Sequence, residues 1–331
     1  MLALFFIPAL LGLALVVDLT DDDDDHDEVE LPPEPAPPTE TPANPAPLDP
    51  ANPAPVDEVF ATPPSADSFD TAPAAPAPQP TSAGVTIEAD GNPVRLLGTG
   101  GADTIMATDE ATSIRGNTGN DLLFGGDNDE NIDGSNGRDT IVAGGGDDTF
   151  SGGGQDDLIY LGDGDDRSAG FGGQDPGNDT VYGGSGNDFL RDDTDSNLTF
   201  GEEGNDRISS INTFSGAELN GANTLIGGIG NDTLLGDAGD LLYGGAGEDT
   251  FNVFGNGDAA SIIADFDIDE DVLIVSVSDQ LSSSLTYTYD ATADGVIISN
   301  QGEIVTFLHG VQADQIATLR DAATVEVYSR F

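Results

Sequence analysis

Acidic residues recur with a period of nine across residues 98–252, inside glycine-rich stretches. Residues 183–191 read GGSGNDFLR and residues 227–235 read GGIGNDTLL, with glycine at positions 1, 2 and 4, aspartate at position 6 and an apolar residue at position 8. Ca²⁺ takes about six to eight oxygen ligands from carboxylates and main-chain carbonyls. Because each unit offers both kinds of oxygen, the spacing predicts calcium chemistry repeated along the chain.

The charge of this segment strengthens the expectation of a bound cation. Residues 98–252 hold 31 Asp and Glu against five Arg. Carboxylates stacked at the usual strand spacing of about 5 Å repel one another and resist burial. The histidines, His26 and His309, lie outside the repeats and the chain has no Cys, which argues against zinc or copper. Several Ca²⁺ ions are therefore the expected cofactor.

The same period indicates the elements that must position these side chains. Each unit divides into a six-residue turn rich in Gly and Asp and a three-residue strand with one inward side chain. Such a strand cannot bury its apolar residue alone, so units must stack, two per coil, with residues eighteen apart lying above one another. The predicted fold class is all-β, a parallel β-roll (β-solenoid). Its expected core is position 8, occupied by Ile105, Ile114, Leu123, Ile132, Ile141, Phe150, Ile159, Ser168, Leu190, Ile208, Leu234, Leu242 and Phe251.

These units resemble the repeats-in-toxin (RTX) family, whose nonapeptide is G-G-x-G-x-D-x-U-x. The resemblance covers about half the chain and implies a roll in which each ion is held between successive turns. Eighteen-residue stacking places Asp103, Asp121, Asp139 and Asp157 in one column and Glu130, Asp148 and Asp166 in a facing one. The metal-binding residues implied are Asp103, Gly116, Gly119, Asp121, Gly125, Glu130, Gly134, Gly137, Asp139, Gly146, Asp148, Gly152, Asp157, Gly164, Asp166, Asp179, Gly183, Gly186, Asp188, Gly204, Asp206, Gly227, Gly230, Asp232, Asp240, Gly244, Gly247 and Asp249.

Three units depart from the pattern, and their sites are expected to be weak or empty. Thr112 and Asn197 replace the position-6 aspartate, and the unit that begins at Gly236 is one residue short. The alternative interpretation of the whole segment is a solvated, disordered acidic tract. Disorder would not require position 8 to be apolar, so the roll is favoured. Without calcium, we expect it to unfold.

Residues 1–20 form a hydrophobic segment ahead of the repeats. A helix over residues 2–19 would be about 27 Å long at about 1.5 Å per residue, nearly the thickness of a bilayer core. No Lys or Arg precedes the apolar run and no clear cleavage motif follows it, unlike a conventional signal peptide. The sequence leaves two alternatives open: an anchor that contacts the membrane through residues 1–19, or a signal that is removed.

Residues 21–83 are predicted to be a disordered linker. An acidic run over residues 21–25 is followed by Pro- and Ala-rich sequence, which favours an extended, semi-rigid stalk. Short strands near residues 85–87 and 94–97 are expected to begin the roll, which occupies residues 84–252. The stalk would hold that roll away from a surface.

Residues 253–331 are predicted to form a β-rich C-terminal cap, because an open final coil would expose a pairing edge. Strands are expected at 262–266, 271–275, 284–289, 295–299 and 303–308, and a short helix at 312–319. This region resembles the target region of type I secretion substrates through residues 263–266 (IADF) and 270–274 (EDVLI). The resemblance implies the type I secretion apparatus as a partner, with the chain unfolded inside the cell and folded by calcium outside.

Catalysis is not expected, and nucleic acid is excluded as a partner. The chain lacks Lys, Cys and Trp, and contains no His-Glu-x-x-His motif, which removes thiol, Schiff-base and zinc-protease chemistry. A formal charge of −54 would repel phosphate. The expected function is a secreted, extracellular or surface-displayed calcium-binding protein with a structural or adhesive role. The alternative is a non-catalytic accessory module of an extracellular polysaccharide-modifying or hydrolytic enzyme system, with glycans as partners.

Overall fold

The computed structural model describes residues 86–88, 95–107, 113–169, 177–191, 196–211, 221–237, 239–255, 259–278 and 285–328. These residues all belong to one unit, Ala54–Phe331. The hydrophobic segment 1–20, the linker 21–83 and Thr112 itself lie outside the described residues. Within the described ranges, no helix has the length and apolar character needed to cross a bilayer.

The described residues are almost entirely β-structure, as the sequence predicts. The strands of the roll alternate along the chain between two sheets. They are β1 Thr86–Glu88, β2 Arg95–Leu97, β3 Thr104–Met106, β4 Ser113–Thr118, β5 Leu122–Phe124, β6 Asn131–Asn136, β7 Thr140–Gly145, β8 Thr149–Gly154, β9 Leu158–Asp163, β10 Arg167–Ser168, β11 Thr180–Ser185, β12 Phe189–Arg191, β13 Leu198–Glu203, β14 Arg207–Ser209, β15 Thr224–Ile229, β16 Thr233–Gly236, β17 Leu241–Ala246, β18 Thr250–Gly255 and β19 Ser261–Ile263.

The last elements complete the two sheets. They are β20 Val272–Ser278, β21 Leu285–Asp290, β22 Gly295–Asn300, β23 Glu303–His309, a 3₁₀ helix Ala313–Gln315, α1 Ile316–Ala322 and β24 Thr324–Tyr328. One sheet has thirteen strands in the order β1-β3-β5-β7-β9-β11-β13-β15-β17-β19-β23-β22-β21, and the other has eleven in the order β2-β4-β6-β8-β10-β12-β14-β16-β18-β20-β24. The arrangement is a parallel β-roll with two strands per coil.

The register confirms the predicted stacking of residues eighteen apart. Thr104 lies opposite Leu122, and Leu122 lies opposite Thr140. Insertions change the interval further along the chain: Leu158 pairs with Thr180, twenty-two residues later, and Leu198 pairs with Thr224, twenty-six residues later. The strands stay aligned because the extra residues fall between them.

Most strands are longer than the predicted three residues, and they have two inward positions instead of one. In β7, for example, the buried side chains are Ile141 at position 8 and Ala143 at position 1 of the next unit. Pairing continues past position 9 because positions 2 and 3 still align with the neighbouring coil, as Gly144 does with Gly162. The position-8 core is confirmed from Ile105 to Phe251, where these apolar residues join one continuous cluster.

A second, smaller apolar cluster was not predicted. Tyr160, Tyr182 and Phe200 stand in register on successive strands of the thirteen-stranded sheet. Their rings stack with centroids 5.1 and 4.7 Å apart. The aromatic residues at position 9 therefore form a column of stacked rings that also stabilises the roll.

The predicted β-rich cap is confirmed. β19 pairs in parallel with β23, and β22 and β21 then extend the sheet antiparallel to one another. β20 carries the other sheet onward to β24. Leu319 of α1 is fully buried in the main core, so the helix closes the apolar column at the C-terminal end of the roll.

Candidate metal centre: two columns of carboxylates

Position-6 side chains stack along the two edges where the chain crosses between the sheets. Each member directly precedes a strand and, except at the end of each column, its main-chain N–H donates to the side chain of the next member. The first column precedes strands of the thirteen-stranded sheet and consists of Asp103, Asp121, Asp139, Asp157, Asp179, Asn197, Asn223 and Asp240. The second column precedes strands of the eleven-stranded sheet and consists of Glu130, Asp148, Asp166, Asp188, Asp206, Asp232, Asp249 and Asp271.

These hydrogen bonds form two continuous ladders. In the first column, the N–H groups of Asp103, Asp121 and Asp139 each donate over 2.8 Å to Oδ1 of the next aspartate. In the second column, the N–H of Glu130 donates to Oδ1 of Asp148 over 2.7 Å. We call each such side chain, with the N–H that donates to it, a rung. In each of these rungs one carboxylate oxygen satisfies a main-chain N–H of the preceding coil.

The other oxygen of most rungs is buried and has no hydrogen-bond partner. Burying a charged oxygen without a partner is costly, and native proteins seldom leave such atoms unsatisfied. A cation is the partner that would satisfy many of them at once. The atoms concerned are Oε1 of Glu130 and Oδ2 of Asp121, Asp139, Asp148, Asp157, Asp166, Asp188, Asp206 and Asp232.

Glycine at position 1 leaves room beside most of these oxygens, although Ala143 and Leu161 hold that position in the units of Asp148 and Asp166. A Cβ on Gly116 would collide with Oδ2 of Asp121 and would lie 2.7 Å from the carbonyl oxygen of Gly134 in the next coil. A carboxylate oxygen and a carbonyl oxygen thus flank the same point. This combination of hard oxygen donors fits Ca²⁺.

Glycine at position 4 lets successive turns approach closely. Gly137 has a φ of 145°, and a Cβ at this position would collide with the carbonyl oxygen of Gly119. Only glycine combines this conformation with so close a backbone contact. The position-4 glycines therefore bring the turns together, whereas the position-1 glycines leave space next to the carboxylates.

Main-chain carbonyls have to supply part of any ligand set. Across the part of the chain that the structure describes, no three His, Cys, Asp or Glu side chains converge on one point. Zinc sites require several such side chains, whereas calcium sites accept carbonyl oxygens in their place. The donor set is therefore that of a calcium site.

Electrostatics show how unfavourable these carboxylates are without a counter-charge. Burial, together with the negative charges of Asp179 and Asp139, raises the pKa of Asp157 to about 8 against the opposing effect of the hydrogen bond from the Asp139 N–H. In the second column, burial and the charges of Asp206 and Asp166 raise the pKa of Asp188 to about 8. The carboxylates in the columns are thus poised to take up either a proton or a cation.

Two of the predicted ligands, Asp103 and Asp240, already have protein partners on the second carboxylate oxygen. Oδ2 of Asp103 accepts hydrogen bonds from the N–H and the hydroxyl of Thr99. Both oxygens of Asp240 have protein partners. Asp249 accepts from the N–H of Asp232 and its own N–H donates to Asp271, a rung that the repeat pattern did not reveal because it lies twenty-two residues later in the cap.

A third set of rungs, at position 5, was not predicted from the sequence. The N–H of Asp147 donates to Oδ1 of Asp129 over 2.9 Å, and the N–H of Asp165 donates to Oδ1 of Asp147 over 3.0 Å. This ladder runs in the direction opposite to the position-6 ladders and is exposed. Its signal was the Asn or Asp that precedes position 6 in units such as GGSGND.

The fold and the site define a class of protein: a parallel β-roll whose turns stack carboxylates and carbonyls around sites for hard cations. Residues 97–129, 106–141, 133–167, 174–208 and 219–251 match the RTX calcium-binding nonapeptide repeat. Residues 97–251 therefore carry RTX calcium-binding repeats, and the cofactor of these repeats is Ca²⁺.

Among solved structures, the chain is similar to the extracellular lipase LipA from Serratia marcescens. The two are 16% identical over 72% of this chain and 42% of the lipase, with a TM-score of 0.23. The chain thus spans less than half the length of that lipase. No curated protein matched the chain.

Proposed function

We propose that the protein is an exported calcium-binding protein whose roll folds when Ca²⁺ becomes available outside the cell. Its role is structural or adhesive, at the cell surface or in the extracellular medium, and it is not catalytic. The observation that supports this proposal best is the set of buried, unpartnered carboxylate oxygens stacked in two columns. A purely structural turn would have no need of them.

The carboxylates with an unpartnered oxygen are the residues that would hold the ions. In the first column these are Asp121, Asp139 and Asp157, and in the second they run from Glu130 to Asp232. Carbonyl groups such as that of Gly134 would contribute from the adjacent turn. A bound Ca²⁺ supplies positive charge that offsets the repulsion along each column. The residues themselves hold the turns in register through the N–H to Oδ1 ladders.

Export is supported by the charge and composition of the chain. A formal charge of −54 opposes compaction while calcium is scarce, as it is inside a cell, and the absence of Cys means that folding outside needs no disulfide. The residues that resemble a type I secretion target, 263–266 and 270–274, supply parts of β19 and β20 in the cap. The type I apparatus, membrane contact through residues 1–19 and extracellular glycans are the partners we propose on this basis.

Calcium titration of the full chain tests the central claim. Far-UV circular dichroism should show coil in chelator and β-structure after Ca²⁺ is added, with a midpoint of about 10⁻⁴–10⁻³ M as in other extracellular calcium modules. Mg²⁺ at the same concentrations should not replace it, because its strict octahedral geometry suits these carbonyl-rich turns poorly. Identical spectra with and without Ca²⁺ would refute the proposal.

Cell fractionation combined with N-terminal sequencing of the mature protein tests the proposed location. Recovery from the medium or the cell surface is expected, and retention that depends on residues 1–19 would favour surface display. Recovery only from inside the cell would contradict export. Specific binding to a polysaccharide would favour the accessory-module alternative over an adhesive role.

A further inference from the structure

The last carboxylate of the first column is satisfied by the protein itself. Asp240 is 0% exposed, and its Oδ1 accepts a 2.9 Å hydrogen bond from the N–H of Asn223. Its Oδ2 accepts from the hydroxyl of Ser210 over 2.6 Å and from the N–H of Asp237 over 2.8 Å. Unlike Asp121 or Asp232, this residue keeps no buried oxygen without a partner.

The two rungs before Asp240 carry amides in place of carboxylates. The side-chain oxygen of Asn197 accepts from the N–H of Asp179, and that of Asn223 accepts from the N–H of Asn197 over 2.8 Å. The ladder therefore continues to the end of the column, but these two rungs add no negative charge to it. An amide oxygen serves as a rung as well as a carboxylate does, but it brings no negative charge to be compensated.

The second column shows no such change over the same coils. Asp206 and Asp232 are both buried carboxylates, and Oδ2 of each has no partner. They stand across the roll from Asn223 and Asp240. The two edges of the roll thus differ in their need for a cation although they belong to the same coils.

The short unit that begins at Gly236 explains why other groups of the protein lie within hydrogen-bond distance of the Asp240 carboxylate. Leu241 pairs with Thr224 only seventeen residues away, one fewer than in a regular coil. The N–H of Asp237, at position 2, meets the carboxylate three residues later, whereas in the regular unit the N–H of Gly126 meets Glu130 four residues later. The Ser210 hydroxyl then approaches the same oxygen from the preceding coil.

We infer that the ions occupy the two columns unequally: the second column binds Ca²⁺ as far as Asp232, whereas the first binds none beyond the rung at Asp179. At Asp240, the Ser210 hydroxyl and the Asp237 N–H take the place of the ion. This inference rests on the proposed calcium binding. It extends the sequence-based expectation that the Asn197 unit and the short unit at Gly236 have weak or empty sites, and it removes Asp240 from the predicted metal ligands.

Counting bound ions in matched variants of the full chain tests the inference. Native mass spectrometry in saturating Ca²⁺ should show that Asp232→Asn binds at least one ion fewer than the unaltered protein. Asp240→Asn should bind the same number as the unaltered protein. An equal loss of ions in both variants would overturn the inference.

Ser210→Ala supplies a second test that keeps Asp240 in place. Removing the hydroxyl leaves Oδ2 of Asp240 with only the Asp237 N–H, so the variant should require more Ca²⁺ to fold, as a circular dichroism titration would show. A calcium midpoint equal to that of the unaltered protein would contradict the role given to Ser210. Failure of the unaltered protein to bind any Ca²⁺ would instead refute the proposed function, so the two failures are distinguishable.

Discussion

The main-chain N–H of Asp139 donates a 2.8 Å hydrogen bond to Oδ1 of Asp157, eighteen residues later, while Oδ2 of Asp157 is buried without a partner. One carboxylate thus performs two tasks. Its first oxygen fixes the spacing between coils, and its second is left for a cation. Because the two tasks use different atoms, substitutions can separate them.

Replacing Asp157 by Asn should weaken calcium binding while preserving the rung. The amide oxygen can still accept from Asp139, but the charged oxygen that would bind the ion is gone. We expect the free energy of unfolding at a fixed Ca²⁺ concentration to fall by about 1–3 kcal/mol, the usual range for a buried polar group that loses its partner. Circular dichroism titrations would measure this as a higher calcium midpoint.

The neighbouring residue provides the control for that substitution. Asp156 is exposed and forms a surface ion pair of 2.8 Å with Arg138. Exposed pairs of this kind contribute little to stability. Asp156→Asn should therefore leave the calcium midpoint nearly unchanged, and equal effects of the two substitutions would contradict the register of the first column.

Acid should stabilise the calcium-free roll. The pKa values of Asp157 and Asp188 rise from 3.8 to about 8 in the folded state, so between those limits the folded chain binds more protons than the unfolded chain. By proton linkage, this contribution is fully present below about pH 3.8 and is lost as the pH rises through about 8. Calcium-stripped protein should show more β-structure at pH 5 than at pH 8.5.

The same protons should compete with the ion. At pH 5, the calcium midpoint is expected to be higher than at pH 8.5, because Ca²⁺ must displace protons from the carboxyl groups whose pKa values are raised. Titrations at the two pH values would measure the difference. A calcium-free chain with more β-structure at pH 8.5 than at pH 5 would be incompatible with these carboxyl groups being buried in the columns.

Gly137→Ala should destabilise the roll even when calcium is saturating. A φ of 145° and the collision with the Gly119 carbonyl both oppose a side chain at this site, and strained backbone of this kind costs about 1–3 kcal/mol. Gly101 holds the same repeat position in the first unit, but a Cβ there would meet nothing within 4 Å. Gly101→Ala should therefore be nearly neutral, and equal losses in thermal melts of the two variants would argue against close stacking of the turns.

The regular parts of this molecule could be predicted from the sequence because a fixed period constrains every unit at once. Ile141 and Asp157 have the same environment as the equivalent residues of many other units, so a departure at one position does not change the prediction for the roll. Ser210 could not be predicted as a partner of Asp240, because their contact depends on a shortened unit and on residues thirty apart. The inward position 1 was not predicted because glycine, which usually occupies it, has no side chain to mark burial. Among the described residues, the buried side chains of Ala143, Leu161 and Val253 reveal it.

The junction between the roll and the cap allows a final prediction. Oδ1 of Asp271 accepts from the N–H of Asp249 over 3.0 Å, and its Oδ2 accepts from the N–H of Asp267 over 2.7 Å. Both oxygens are thus held by the protein. Asp271→Ala should lower the free energy of unfolding by about 1–3 kcal/mol, and additional Ca²⁺ should not restore it, because no ion contact is lost.

Asp269→Ala is the matched control in the same loop, since Asp269 is exposed and two residues away. Chemical denaturation of both variants at two saturating Ca²⁺ concentrations would show whether the Asp271 rung is held by the protein or depends on bound ions. A loss that persists at both concentrations is expected for Asp271 alone. If more Ca²⁺ restored the stability of the Asp271 variant, the ladder would depend on ions up to the cap, and the division between rungs held by ions and rungs held by the protein would be wrong.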